Sequence, residues 1–253
     1  MAAWTPDQLG SALRAWWKAD AITGLVDADP VSTWTDSTAN AYALTGTLTT
    51  RPLYKTAIQN GLPVVRFDGS NDFLSIVSTL GISAQPLTVA CVWKMANANQ
   101  QAIFQSSLTN TAVYINAVGD LEMIAGTGRS TAITKGAWRN TLNIFNGASS
   151  LFSIDGTTST PASPGTNSPT GTLYVGSANG GASYWLNGDM GELLFLNTSP
   201  STDDRQKLEG YLAWKWGLTL ASGHPYELVA PTVGSRSGLR YPLGDGLRQR
   251  SLR

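Results

Sequence analysis

Asp120 and Glu122 stand two residues apart in a short β-type run, so both carboxylates fall on one strand face. An acid and a nucleophile or base brought together in that way are what glycosidic bond cleavage needs. His224 is the only histidine and Cys91 the only cysteine. A zinc centre or a Ser-His-Asp triad would therefore depend on His224 alone, and Gly223-His224-Pro225-Tyr226 reads as a structural turn. Asp68, Asn71 and Asp72 offer hard oxygen ligands of the kind calcium takes, but Asx side chains in such a turn also cap their own backbone. The turn is the preferred reading, and no cofactor is expected. The stretch 179–188 holds Asn179, Tyr184, Trp185 and Asn187. Aromatic faces stack on the C–H surface of a sugar and amide side chains bond its hydroxyls, which makes these four a candidate carbohydrate site. Trp185 lies just before a strand, and the core is the preferred reading for it.

Residues 229–253 differ from the rest. Five arginines against Asp245 give them a net charge of about +4, although the whole chain balances 17 basic with 17 acidic residues. Leu239, Arg240, Leu247, Arg248 and Leu252 recur with glycines, Tyr241 is the one aromatic, and Pro231 and Pro242 forbid a continuous helix. The segment reads either as a disordered end or as an extended peptide that lays leucines into pockets and arginines against carboxylates of a partner, and the recurrence of Leu with Arg favours the second. So little aromatic interleaving gives no case for nucleic acid.

The elements that position these residues are legible as β structure. Of 253 residues 42% are apolar and 13% charged, and 26 glycines and 12 prolines divide the chain into short segments. Strand-like runs occur at 62–68, 73–78, 87–95, 101–106, 112–117, 121–125, 137–146, 149–155, 172–177 and 189–197, between Asn, Gly, Ser and Asp turns. In the run 87–95 the residues Leu87, Val89, Cys91, Trp93 and Met95 form one dry face. In 189–197 Met190, Leu194 and Leu196 share a face opposite Leu193 and Phe195, so both sides need cover. Asn146-Gly147 and Asp155-Gly156 predict hairpin turns, and 157–170 a polar loop. Thr5-Pro6-Asp7 with Leu9, Leu13 and Trp16 or Trp17 predicts a short N-terminal helix or turn covering the sandwich. Ser201 or Thr202 opens a helix to about Trp216, with Asp203 and Asp204 in its first turn, Lys215 in its last and Gly217 as the stop. Trp16, Trp34, Trp138 and Trp214 are expected in the core. The first ten residues have no signal-peptide pattern, and no run is long and apolar enough to span a membrane.

Four stretches read together: Leu13-Arg14-Ala15-Trp16-Trp17-Lys18-Ala19-Asp20; Val31-Ser32-Thr33-Trp34-Thr35-Asp36-Ser37; Asn60-Gly61-Leu62 through Phe67-Asp68-Gly69-Ser70-Asn71-Asp72-Phe73-Leu74; and Glu209-Gly210-Tyr211-Leu212-Ala213-Trp214-Lys215-Trp216-Gly217 with His224-Pro225-Tyr226. Their order resembles the laminin G-like, concanavalin A-like domains of bacterial surface and phage structural proteins. The resemblance covers roughly residues 4–226. It implies an all-β, two-sheet antiparallel jelly roll over 1–228, with 229–253 as a tail. The Glu-x-Asp-x-x-Glu pattern of the related glycanases is absent. The expected function is non-enzymatic: a virion component made in the host cytoplasm (capsid decoration, fibre or tail-associated adhesion module). Its partners would be other virion proteins through the tail, further copies of itself and a host-surface glycan. The competing readings are a free carbohydrate-binding module or bacterial surface adhesin and, behind it, a polysaccharide hydrolase.

Overall fold

The structure is a computed structural model and describes residues 2–96, 100–106 and 111–234. The tail positions Leu239, Arg240, Tyr241, Leu247, Arg248 and Leu252 lie outside the described residues.

Two antiparallel sheets of eight strands each make a sandwich. The first runs Thr157–Thr158, Leu151–Ile154, Arg139–Phe145, Leu87–Met95, Asn187–Leu196, Leu62–Asp68, Leu53–Gln59, with Leu13–Lys18 also paired to Asn187–Leu196. The second runs Gly128–Thr131, Leu121–Ala125, Thr111–Ile115, Gln101–Ser106, Thr172–Val175, Leu74–Val77, Ala43–Thr45, Thr33–Thr35. Alternating side chains from both inner faces fill the space between the sheets, with Leu87, Val89, Cys91, Trp93 and Met95 meeting Phe104, Val113, Met123 and Leu173.

The opposite face of Leu87–Met95 is not wet, contrary to the expectation of a single dry face. Ala90 and Val92 belong to a second core with Val64, Leu142 and Leu194, closed by Leu208, Leu212 and Trp216 of the helix Thr202–Trp216. The Ser201 hydroxyl accepts the Asp204 N–H at 3.1 Å to start that helix, and Gly217 ends it at φ 63°.

Asn187–Leu196 serves both cores, and a bulge makes this possible. Register shifts between Met190 and Glu192, so Gly191 is an extra residue against Leu87–Met95. Met190 thereby joins Leu193 and Phe195 on the inner face, while Leu194 and Leu196 face the helix. Sequence alternation had placed Met190 on the other side, because period two cannot register an inserted residue. The indole of Trp216 lies over Gly191, where any Cβ would come within 2.5 Å of its ring. The next residue, Glu192, is fully buried. Its carboxylate accepts from the indoles of Trp16 and Trp216 (2.8 Å for the latter) and the Tyr211 hydroxyl at 3.2 Å, and pairs with the Lys215 ammonium at 3.0 Å.

The expected short N-terminal helix is present as a 3-10 helix, but it ends before Trp16 and Trp17. A 3-10 turn over Pro6–Ala12 gives way to the strand Leu13–Lys18, which pairs with the second half of Asn187–Leu196. Helical spacing of Leu9, Leu13 and Trp16 loses to open strand hydrogen bonds, and Trp16 and Trp17 point into different cores. Thr33–Thr35, Ala43–Thr45, Leu53–Gln59 and Gly128–Thr131 are strands the apolar runs did not reveal, and Thr157–Thr158 is a strand inside the expected polar loop. Asp155 and Gly156, at φ 50° and 84°, form the predicted tight turn. Trp34 is buried and Trp138 half-buried against Trp216, but Trp214 is 46% exposed rather than in the core. Residues 231–233 pair antiparallel with the first residues of the chain: the Trp4 N–H donates to Pro231 O and the Val233 N–H to Ala2 O. No helix among the described residues is long and apolar enough to cross a membrane.

Candidate functional site

The one α-helix of the described residues lies over the first sheet, so the outer face of the second sheet has no helix above it. Tyr114, Glu122 and Tyr174 are half-buried there, opposite inward-facing neighbours such as Val113, Met123 and Leu173. Tyr114 and Glu122 sit directly across from each other in the register, which brings the phenol beside the Glu122 charge. Burial first, then the Glu122 charge, pushes the Tyr114 phenol up to about 12. A nucleophilic tyrosine needs the opposite shift.

The stretch 176–186 delivers Tyr184 to this face. A bridge between Ala178 and Ser183 closes a turn through Asn179–Gly181, and the Tyr184 carbonyl accepts the Ala102 N–H at 2.7 Å. Tyr184 sits at φ 55°, a left-handed conformation costly for a tyrosine. Its ring lies 6.3 Å from that of Tyr114 with planes 17° apart. The half-buried Trp185 indole donates to Gly181 O at 3.1 Å. The following residue, Leu186, is the one that enters the core. Asn179 donates to Ser183 Oγ at 2.7 Å and remains exposed, and its N–H bonds Gln105. Of the four sequence candidates, Asn179, Tyr184 and Trp185 thus belong to one loop at the sheet face. Asn187 instead begins a strand of the first sheet and packs over Gly69. Sequence reasoning missed Tyr114. Alternation in Thr111–Ile115 exposes it, but the pairing with Tyr184 spans 70 residues and leaves no local signal.

Asp68 caps its own turn, accepting from the N–H groups of Ser70, Asn71 and Asp72 at 2.8, 3.2 and 3.3 Å. Asp72 returns the bond from the Asp68 N–H at 3.0 Å, and the Asn71 amide donates to Thr49 O. These backbone partners account for the residue types without a metal. Burial, then the neighbouring Asp68 charge, raises the Asp72 pKa from 3.8 to about 6. Between those values the folded chain keeps a proton that the unfolded chain releases. Stability should therefore fall as pH rises through this window and level off above it. Asp72→Asn keeps the acceptor for the Asp68 N–H and should flatten that slope in denaturant titrations run from pH 4 to pH 7. An unchanged slope would remove Asp72 as its source.

The remaining chemical candidates are internal. His224 Nε2 lies 2.9 Å from the buried Glu209, which also receives Ser153 Oγ and Arg205, while His224 Nδ1 accepts the Tyr226 N–H. The carboxylate stands between serine and histidine, so the serine has no base and the cluster is a buried bracket under the helix. Burial, then Glu192, drives the Cys91 thiol well above its usual range, which leaves it unreactive. Asp120 lies in the Asn116 turn before its strand rather than on it. A cleft of about 570 Å³ beside Thr157–Thr158 contains Arg139 and Asp155, which bond each other at 2.5 Å.

No family model matches the sequence, and no curated protein does. Solved structures do match. Domain 4 of a GH43 extracellular arabinanase from Geobacillus stearothermophilus, solved with arabinotriose, is 14% identical with TM-score 0.52 over 73% of this chain and 91% of that one. The chain has a two-sheet antiparallel β-sandwich fold. The botulinum neurotoxin serotype D binding domain matches the same sandwich at 11% identity and TM-score 0.57, over 83% of this chain and 55% of that one. A Trypanosoma rangeli sialidase mutant displaying trans-sialidase activity matches it at 9% and 0.56, with 79% of this chain aligned to 32% of the enzyme. This sandwich therefore spans about a third of the sialidase. At these identities the likeness is one of fold alone.

Proposed function

We propose that this chain is a non-catalytic attachment module that binds glycan on the outer face of its second sheet. The observation that carries the reading is the parallel Tyr114–Tyr184 pair, built by a tyrosine held at positive φ, on the sheet face that lacks a helix layer. Backbone strain of about 1–3 kcal/mol persists where a ring's position matters more than the cost of holding it. Asn179 at the rim supplies hydrogen-bonding capacity beside the rings. One further observation favours binding over turnover: burial and the Glu122 charge across the register hold the Tyr114 phenol protonated. An arabinanase domain solved with arabinotriose and a neurotoxin binding domain, both of this fold, support the same reading.

The resemblance noted in the sequence extends the proposal to a setting. The module sits on a phage particle as a homo-oligomeric decoration, fibre or tail-associated protein, anchored through residues 229–253. Trypsin cleavage at Arg236 and Arg240 in the free protein, suppressed in the native particle, would support that anchor; equal cleavage in both would end it.

Tyr184→Gly is the direct test of binding, because glycine accepts the left-handed backbone and removes only the ring. Loss of an aromatic stacking partner should weaken glycan binding about tenfold. Calorimetry on hits from a glycan array reads this, with thermal unfolding as the check on folding. Affinity unchanged in a folded Tyr184→Gly protein would refute the site. Trp185→Ala should have a smaller effect on binding, since that indole is half-buried and tied to Gly181.

A further inference from the structure

The charge of the tyrosine face selects among saccharides. Five adjacent strands form it, Leu74–Val77, Thr172–Val175, Gln101–Ser106, Thr111–Ile115 and Leu121–Ala125, and their sequences contain one charged residue, Glu122. The loop that carries Tyr184, residues 176–188, contains none. The next strand, Gly128–Thr131, holds Arg129, but that guanidinium turns to the other side. It lies 5.0 Å over the Phe152 ring and donates to Ser150 O, Ala162 O and Thr160 O. Ligand anions are held by arginine or lysine forks, or by clustered backbone N–H groups. The strands and loop of this face supply no such cation, and their only fixed charge repels an anion.

We infer that the tyrosine face takes uncharged, hydroxyl-rich saccharides and rejects sialylated or sulfated ones, with Glu122 as the discriminating residue. This rests on the glycan-binding reading above. Sugar C–H faces stack on the rings, and the Glu122 carboxylate, acceptor-only, takes hydroxyl donors that a ligand carboxylate does not have. A ligand carboxylate or sulfate a few ångströms from Glu122 would meet like charge at a partly desolvated surface, a penalty of about tenfold in affinity.

The experiment is an array of matched neutral, sialylated and sulfated oligosaccharides, read at low and moderate salt with the native chain, Tyr184→Gly and Glu122→Gln. The expected result is binding confined to neutral members and lost in Tyr184→Gly. In Glu122→Gln the anionic-to-neutral affinity ratio should rise about tenfold, and more at low salt. A sialylated or sulfated ligand that binds best and depends on Tyr184 would overturn the inference and leave the binding reading intact. So would a ratio unmoved by Glu122→Gln. Binding indifferent to Tyr184→Gly, or none to any member, would overturn both.

Discussion

Glu192→Ala should destabilise the protein by about 3–5 kcal/mol, the range seen when one partner of a buried charge cluster is removed. Glu192 is fully buried and four groups converge on it: the indole N–H of Trp16, the indole N–H of Trp216, the Tyr211 hydroxyl and the Lys215 ammonium. Truncation leaves two indole N–H groups and a phenol without their acceptor. It also leaves Lys215 with Asp20 at 2.9 Å as its remaining partner. Burial and the Glu192 charge push the Tyr211 phenol far above its usual range, so it stays a donor at any working pH. The four donors come from one strand and the helix, so the helix should loosen from the sheet together with Trp16. The melting midpoint should fall by roughly 10 °C. Glu192→Gln keeps an acceptor oxygen for the indoles and should lose less than half as much. Equal losses in the two variants would show that the charge, rather than the hydrogen bonding, holds the helix down.

Trp17→Ala should cost about 3–5 kcal/mol, as expected for a large aromatic removed from a close-packed interior. Trp17 is 0% exposed, sets its ring edge-on to Phe195 and donates its indole N–H to Tyr42 O at 3.1 Å. Trp214→Ala should cost about 1 kcal/mol, because that ring is 46% exposed and its main tie is one hydrogen bond to Tyr226 O. Chemical denaturation of the two variants reads the difference. A loss at Trp214 equal to that at Trp17 would mean that the segment after the helix is integral to the cooperative unit.

These two tryptophans mark where sequence reading stops, and two elements mark where it works. The strand Leu87–Met95 was legible because its inner face repeats with period two and both ends carry turn residues. The helix Thr202–Trp216 was legible from its cap, its dipole-matched charges and Gly217. Trp16 and Trp17 were misread as helical because an outer strand that completes a sheet by hydrogen bonding needs no local pattern of its own. Met190 was misassigned because the Gly191 bulge is decided by cross-strand pairing. The exposure of Trp214 depends on which helix face the sheet claims. For the candidate site, the loop with Asn179, Tyr184 and Trp185 was visible as an aromatic, amide-rich stretch between glycines. Its partner Tyr114 was not, and Glu122 was legible only as a carboxylate paired with Asp120, since contact between strands distant in sequence is set by topology. Asn187 shares the loop's sequence but not its surface, as the first strand residue after Leu186 turns into the other sheet.

The antiparallel pairing of residues 231–233 with Ala2–Trp4 has a mechanical meaning. Both segments leave the sandwich side by side and in the same direction. Tension applied between residues 2 and 234 would part the Val233–Ala2 bond first and the Trp4–Pro231 bond next, like a zipper, rather than shearing them together. Force across this seam would open it before it loaded the sheets, leaving the tyrosine face intact.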